Sequence, residues 1–250
     1  MQTYTSNSQE TKLYLAYGSN LNITQMAGRC PTAKVVGAVT LSDYHLLFRG
    51  GDCSSVATIE AFKGGKVPVL VWEITPEDES ALDHYEGFPE LYRKETMSVR
   101  FDDKSQISKK FQERYTTDQP YNAMIYIMNV KSSNGHTRLL GRPGEHYFDV
   151  IAEGYRQLLL QFGFLQFDEG ILDKAVYDST LSNRKHAETI KSQILAIRSG
   201  GETNMLDTNA VHRIASREGY IELEMFLADR RGQSAYARFI FTGDMSHLLG

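Results

Sequence analysis

Short apolar segments rich in β-branched and aromatic residues dominate the chain from Lys12 to about Asn129. Several alternate apolar with polar positions and others are continuously apolar, as strands are when one or both faces are buried. Few helical patterns separate them, which predicts a mainly antiparallel sheet that curls or closes on itself. The segments are KLYLAY, AKVVGAVTL, YHLLF, SVATIEAF, KVPVLVWEIT, KETMSVRF and NAMIYIMNV. Gly64 and Gly65, which lie between two of them, predict a hairpin turn.

Two helices are predicted to interrupt this series of strands. One follows Asn20, through LNITQMAGR. The other is TPEDESALDHYEG, where Thr75 is suited to cap the helix, Pro76 to occupy its first position and Gly87 to end it.

The pattern becomes helical from Glu145 onward, with apolar residues at roughly helical spacing, and we expect this helix to cover the sheet. After about Thr180 the chain stays helical, and three isoleucines share one face of HAETIKSQILAIRSGG. YARFIF closes this region as a strand or as a last helix. We therefore expect a disordered tail over 1–11, a first domain over 12–180 and a small helical domain over 181–250.

Composition and charge restrict the kinds of partner. The chain has 250 residues and a formal net charge of −4, so no long-range field attracts nucleic acid or anionic membrane, and a small-molecule partner is favoured. Cys30 and Cys53 are the two cysteines, and neither has metal-type spacing with His or a second Cys, which indicates reduced thiols and no disulfide framework. Without a signal-like or membrane-spanning apolar run, we expect a cytoplasmic protein.

The stretch YLAYGSNLN carries the first candidate chemistry, because an apolar strand there ends abruptly on Gly18, Ser19 and Asn20. Backbone N–H groups at such a strand-to-helix turn can bind a carboxylate or stabilise an oxyanion, and glycine permits close approach of a ligand. The alternative is an ordinary turn whose helix is capped by Asn20 or Asn22. The local sequence pattern alone does not decide between a ligand-binding turn and an ordinary capped turn.

Glu86 is the second candidate. It lies four residues after Leu82, so if Leu82 faces the core, Glu86 is carried toward the same side. Burial and the adjacent helix C-terminus would both raise its pKa, as a general base working near neutral pH requires. The alternative is a solvated residue at a frayed helix end, and the nearby acids Asp78, Glu79 and Asp83 are expected to form a solvated face.

Three of the 14 tyrosines, Tyr92, Tyr126 and Tyr147, are placed where a hydroxyl could reach a ligand. The residues alone favour the alternative, in which each is an amphipathic core residue whose hydroxyl is hydrogen-bonded. The seven histidines form no HExxH motif or catalytic pair, so the sequence supports neither a metal site nor a Ser/His nucleophile.

Taken in order, YLAYGSNLN, LDHYEGFPELYRKE, AMIYIM and PGEHYFDVI resemble the gamma-glutamylcyclotransferase-like family over about 12–167. The resemblance implies an α+β fold, with a small, mostly antiparallel β-barrel flanked by helices and followed here by the helical domain. It implies that Glu86 is the acid/base and that no metal or cofactor is needed. It assigns substrate binding to Ala16, Tyr17, Gly18, Ser19, Asn20, Leu21, Tyr92, Tyr126 and Tyr147. The family usually has Pro-Ser shortly before the last tyrosine, whereas this chain has Pro143-Gly144.

The expected reaction is therefore ring closure of a gamma-glutamyl amine or gamma-glutamyl peptide, which releases 5-oxoproline and the free amine. The alternative is a binding module that uses the same cavity without turnover. The identity of the leaving amine stays open.

The region 181–250 resembles a small uncharacterised domain associated with similar proteins of Gram-positive bacteria and their phages. Its helix-Gly-helix rhythm suggests a helix-turn-helix, but Glu222, Glu224 and Asp229 would repel phosphate. We therefore expect this region to dock a protein partner, mediate self-association or act as a lid.

Overall fold

The structure, a computed structural model, describes residues 10–51, 54–133, 135, 137–228 and 230–249. Within these residues a six-stranded sheet has the order β4-β5-β1-β3-β2-β6. Strand β1 pairs antiparallel with β3 and parallel with β5, and β4 pairs antiparallel with β5. The strands are β1 Lys12–Ala16, β2 Lys34–Gly50, β3 Val56–Ile74, β4 Tyr92–Val99, β5 Tyr121–Met128 and β6 Leu139–Leu140.

The expected α+β fold is confirmed, but the sheet is a curled half-barrel and not a closed barrel. Over the described residues β4 and β6 lie at opposite edges of the strand order. Closure would require these two strands to pair, and β6 has only two residues, Leu139 and Leu140, with which to form hydrogen bonds.

The hairpin predicted at Gly64 and Gly65 is wrong, because β3 continues through both glycines. Gly64 has φ of +80° and Asp43 on β2 has φ of +63°. The Asp43 Oδ1 atom accepts a hydrogen bond from the Gly64 amide at 2.7 Å, and a side chain on Gly65 would collide with the Tyr44 carbonyl. The two glycines therefore accommodate an irregularity shared by β2 and β3, where glycine tolerates geometry that other residues resist.

The two helices predicted among the strands are present. Helix α2 begins as expected: Thr75 caps it in a reciprocal capping box with Asp78, and Pro76 is its first residue. Gly87 follows the end of the helix and has a φ of +60°, in the left-handed region that favours glycine. The α-helices of the described residues are α1 Ile23–Arg29, α2 Pro76–Tyr85, α3 Glu145–Phe162, α4 Glu169–Gly200, α5 Thr208–Glu218, α6 Ile221–Leu227 and α7 Arg230–Thr242.

Two compact units are distinguished by their internal contacts. The first contains the described residues of 1–46, 57–129 and 145–174, and the second contains those of 47–56, 130–144 and 175–250. The core of the first lies around the central strands, with Leu15, Val71 and Ile125 fully buried. The core of the second is helical and includes Ile190 and Tyr236.

The domain limits of 12–180 and 181–250 stay a prediction, and helix α4 runs continuously through position 180. Most of the expected disordered tail, residues 1–9, lies outside the described residues, as does Cys53.

Three further findings concern single predictions from the sequence. Cys30 is a buried free thiol. YARFIF is helical and forms part of α7. Within the described residues no helix is both long and apolar enough to cross a bilayer.

Candidate active site

The turn after β1 is both capped and directed into a cavity. Gly18 is followed by a 3-10 turn over Ser19–Leu21, and α1 starts at once afterwards. Asn22 caps α1, because its Oδ1 atom accepts a hydrogen bond from the Gln25 amide at 2.9 Å. Capping by Asn22 leaves the side chain of Asn20 available for other contacts.

Asn20 connects the turn to the carboxyl group of Glu86. Its Nδ2 atom donates to Glu86 Oε1 at 2.7 Å and to the hydroxyl of Tyr14 at 2.8 Å. Its carbonyl accepts from Trp72 Nε1 at 3.1 Å, and its Oδ1 atom accepts from Arg29 Nη1. Asn20 is 2% exposed. Because its side chain is buried and its polar atoms are hydrogen-bonded, these contacts fix the orientation of the amide group.

Glu86 lies where helix α2 ends, and its carboxyl group faces the cavity. Leu82, one turn earlier, is completely buried, which confirms that this side of α2 faces the core. Burial raises the pKa of Glu86 to about 7, while the hydrogen bond from Asn20 and the positive charge of Arg29 act in the opposite direction. At neutral pH the carboxyl group therefore exists in both protonation states.

Arg29 holds its position at the cavity through several contacts. Its Nη1 atom also donates to Ser19 Oγ at 3.3 Å, and its guanidinium lies over the ring of Tyr85 at 3.2 Å from the ring centre. The stacked ring and the hydrogen bonds keep the positive charge beside the turn.

Hydroxyl groups of tyrosines enclose the rest of the cavity. Tyr17 donates to the carbonyl of Tyr126 at 2.6 Å, and Tyr92 donates to the carbonyl of Ala57 at 2.6 Å. The amide of Ala57 donates to the hydroxyl of Tyr147 at 3.1 Å. Burial raises the pKa of all four tyrosines, so these hydroxyls stay neutral.

The cavity brings together eight of the ten residues predicted from the sequence. It holds about 30 Å³ and is lined by Tyr14, Tyr17, Gly18, Ser19, Asn20, Ala57, Glu86, Tyr92, Tyr126 and Tyr147. The other two, Ala16 and Leu21, are buried outside its lining. Gly18 is suited to its place because a side chain there would lie 3.2 Å from Ala57 Cβ.

Four contributors were not predicted as site residues: Tyr14, Ala57, Arg29 and Asp83. Tyr14 and Ala57 are strand residues, and Ala57 acts through its backbone, which leaves no signal in the sequence. Arg29 occupies the last turn of a helix, where a basic residue is expected in any case.

The expectation that Asp78, Glu79 and Asp83 form a solvated face is wrong. Asp78 is 3% exposed and belongs to the capping box of α2. Glu79 and Asp83 both pair with Lys94 on β4, and Asp83 also accepts a hydrogen bond from the Tyr126 hydroxyl at 2.6 Å. This network connects α2 to the sheet and thereby positions the helix that carries Glu86.

The described residues contain no group of three or more His, Cys, Asp or Glu side chains placed to hold a metal ion. The chemistry that the lining offers is proton transfer by one carboxyl group and hydrogen bonding by neutral hydroxyls, an amide side chain and the backbone.

The curled sheet, its flanking helices and the partly buried carboxyl group beside the turn after β1 together form a fold of the gamma-glutamyl cyclotransferase type. The chain belongs to the gamma-glutamyl cyclotransferase, AIG2-like family, whose profile matches residues 14–147, more than half of its length. A second profile, described only as a domain of unknown function, matches 186–244. The predicted family resemblance and the additional C-terminal domain are thereby confirmed.

Similar solved structures agree on the fold. One, described as a gamma-glutamyl cyclotransferase, is 24% identical with a TM-score of 0.50, and the match covers 67% of this chain and 88% of that chain. Another, an uncharacterised protein from Homo sapiens, is 23% identical with the same TM-score and the same coverages. The comparison with curated proteins gave no match.

Proposed function

We propose that the chain is a cyclotransferase that acts on a gamma-glutamyl amine or gamma-glutamyl peptide. The observation that carries the proposal is the enclosed carboxyl group of Glu86, with a pKa of about 7, opposite the turn that contains Tyr17 and Asn20. Membership of the gamma-glutamyl cyclotransferase, AIG2-like family supports the same assignment.

In this reaction the substrate supplies its own nucleophile. The alpha-amine attacks the gamma-carbonyl carbon, a five-membered ring closes, and the bond to the leaving amine breaks. Because both reacting groups belong to one molecule, the site mainly has to bend the substrate and move protons.

Glu86 performs both proton transfers in this proposal. Its carboxylate takes a proton from the alpha-ammonium group, which makes the amine nucleophilic, and gives that proton to the leaving nitrogen as the carbon–nitrogen bond breaks. The attacking nitrogen loses a second proton when the ring closes, and the same carboxylate passes it to the released amine, which departs as an ammonium ion. The backbone of the turn around Gly18 and Ser19 stabilises the negative charge that develops on the carbonyl oxygen. The neutral tyrosine hydroxyls orient the gamma-glutamyl group.

Substrate entry requires the lining to rearrange, because about 30 Å³ is the space of roughly one water molecule. The contact that the substrate replaces is the hydrogen bond from Asn20 Nδ2 to Glu86 Oε1, since an ammonium group is a donor of the same kind. Binding therefore exchanges one donor to Glu86 for another.

The test is mass-spectrometric detection of 5-oxoproline from a panel of gamma-glutamyl amino acids and gamma-glutamyl amines. We expect Glu86→Gln to lose at least about 100-fold in rate, because glutamine cannot transfer the proton. Glu90→Gln, an exposed glutamate four residues later, is the matched control and should keep the rate.

A Glu86→Gln protein with full turnover would refute the mechanism. No product from any panel member, together with measurable binding of some, would favour the alternative of a non-catalytic binding module. The substrate that gives the highest kcat/KM identifies the preferred leaving amine.

A further inference from the structure

The second compact unit contains a cavity of about 500 Å³ that shares no residue with the candidate active site. All of its lining residues belong to this unit. Described residues of 50–54 and 132–139 form one wall, and helices α4, α6 and α7 with the turn at Met245–Leu248 form the other. Pockets for small molecules usually hold about 300–1,000 Å³.

Backbone pairing builds the first wall. Arg49 and Gly50 of β2 pair with Leu140 and Leu139 of β6. The Arg49 guanidinium donates to the carbonyl of Arg138 at 2.7 Å, and the amide of Ser55 donates to the carbonyl of Arg142 at 3.2 Å. The two segments therefore form a connected structure beside the cavity.

The packed core of the second unit holds the helical wall. Tyr236 is fully buried and donates to the carbonyl of Met205 at 2.8 Å. Asn183 Nδ2 donates to the carbonyl of Leu249 at 2.8 Å, which connects α4 to the end of the described chain. Side chains that project from these helices into the cavity thus start from a supported backbone.

The lining combines basic groups with an apolar surface. Among the lining residues that the structure describes, none is acidic, and the basic ones are Arg138, His186, Arg231 and His247. The apolar ones are Leu139, Met225, Phe226 and Ala235. Glycine, serine and threonine complete the lining.

The nearby carboxyl group of Glu222 is held outside the lining. It accepts a hydrogen bond from Gln193 Nε2 at 2.7 Å. Burial lowers the pKa of His186, and Glu222 partly offsets this. Arg231 is exposed, and arginine keeps its charge at all physiological pH values.

We propose that this cavity binds a small organic anion whose phosphate or carboxylate group contacts Arg231, His186 and His247 and whose apolar body lies against Phe226 and Met225. Arginine recognises such anionic groups by charge-assisted hydrogen bonds, and the N–H group of a neutral histidine ring also donates to them. An inorganic anion would use only the basic part of the lining and would leave the apolar part without a partner.

The test is isothermal titration calorimetry of the full chain with four probes. 1-Naphthyl phosphate and 1-naphthoate carry an anionic group and an apolar body, inorganic phosphate carries only the anion, and 1-naphthol carries only the body. We expect at least one of the first two to bind more tightly than both single-feature probes. The better of the two distinguishes a phosphate ligand from a carboxylate ligand.

The Arg231→Gln variant tests whether the probes bind in this cavity. It removes a charge from the cavity at an exposed position, so folding should be preserved, and we expect about ten-fold weaker binding of the best probe. Arg198→Gln, the same change at an exposed position of α4 outside the lining, is the control and should bind as the unmodified chain does. Equal affinities of the two variants, or no binding of any probe at millimolar concentration, would overturn the proposal.

Discussion

The proposed chemistry depends on one carboxyl group whose surroundings come from separate parts of the chain. Burial raises the pKa of Glu86, whereas Asn20 and Arg29 lower it, and the balance is a pKa of about 7. A value near neutral pH suits a group that must first accept a proton and then return it. Asn20 in the turn after β1 and Arg29 at the end of α1 therefore adjust the pKa of a residue at the end of α2.

At the same scale we predict that the stability of the protein depends on pH through Glu86. The folded pKa of about 7 exceeds the ordinary value of 4.5, so between these values the folded state binds more protons than the unfolded state. The free energy of unfolding should therefore fall as pH rises through this window, by about 1–3 kcal/mol. Glu86→Gln should lack this decrease.

Denaturant unfolding of the unmodified chain and of Glu86→Gln at pH 4.5 and pH 7.5 measures the effect. Glu90→Gln again serves as the exposed control and should follow the unmodified chain. If the stability difference between the unmodified chain and Glu86→Gln were the same at both pH values, the carboxyl group would not be enclosed as described.

At the scale of elements, helix α3 supports the site turn from behind. Gln157 Oε1 accepts from the Ile23 amide at 2.9 Å, and Asn22 Nδ2 donates to the Val150 carbonyl at 3.2 Å. Gly154 permits this close packing, because a Cβ atom there would lie 2.9 Å from the Asn22 amide nitrogen and the Leu21 carbonyl carbon. The position of the turn is therefore set partly by a helix far away in sequence.

We predict that Gly154→Ala destabilises the protein by about 1–3 kcal/mol, since the added methyl group has to displace backbone. The shifted turn should also lower the rate of 5-oxoproline formation. Thermal unfolding and the activity assay measure the two effects.

Gly28→Ala is the matched control. Nothing lies within 4 Å of a Cβ atom at that position, so this variant should be as stable as the unmodified chain or more stable by up to about 1 kcal/mol. Equal stability of the two variants would show that α3 does not press on the turn.

At the scale of the whole molecule, the second unit has a hydrophobic core of its own. Ile190, Ile194 and Ile197 are buried in it, as their shared helix face predicted. Helix α5 ends at Gly219 with φ of +71°, which produces the predicted helix-Gly-helix pattern. That residues 181–250 dock a partner, mediate self-association or act as a lid stays a proposal. Light scattering of the full chain would test the self-association.

We predict that Ile194→Ala destabilises the second unit by about 2–5 kcal/mol, because it leaves a cavity in this core. Leu195→Ala, at the next position, should cost much less, since Leu195 is 45% exposed. Hydrogen exchange of amides in α4 and α7 measures the difference, and equal protection in the two variants would contradict this account of the core.

Local sequence patterns determined those parts of the protein that depend on neighbours along the chain. The start and end of α2, the turn after β1 and the position of α3 were predictable, because caps, glycine exits and helical periodicity involve residues within about one or two turns of each other. The spacing of Glu86 to Leu82 is a local pattern of the same kind, and it predicted Glu86 as a candidate, as the family resemblance did separately.

Tertiary structure alone decided the features that depend on distant contacts. Whether the sheet closes, and whether β3 runs through Gly64, follow from how strands pair, and the partner positions are far apart in sequence. Tyr14, Ala57 and Arg29 join the site for the same reason. A pKa near 7 needs both burial and specific neighbours, so it arises only when the folded chain brings Asn20 and Arg29 to Glu86.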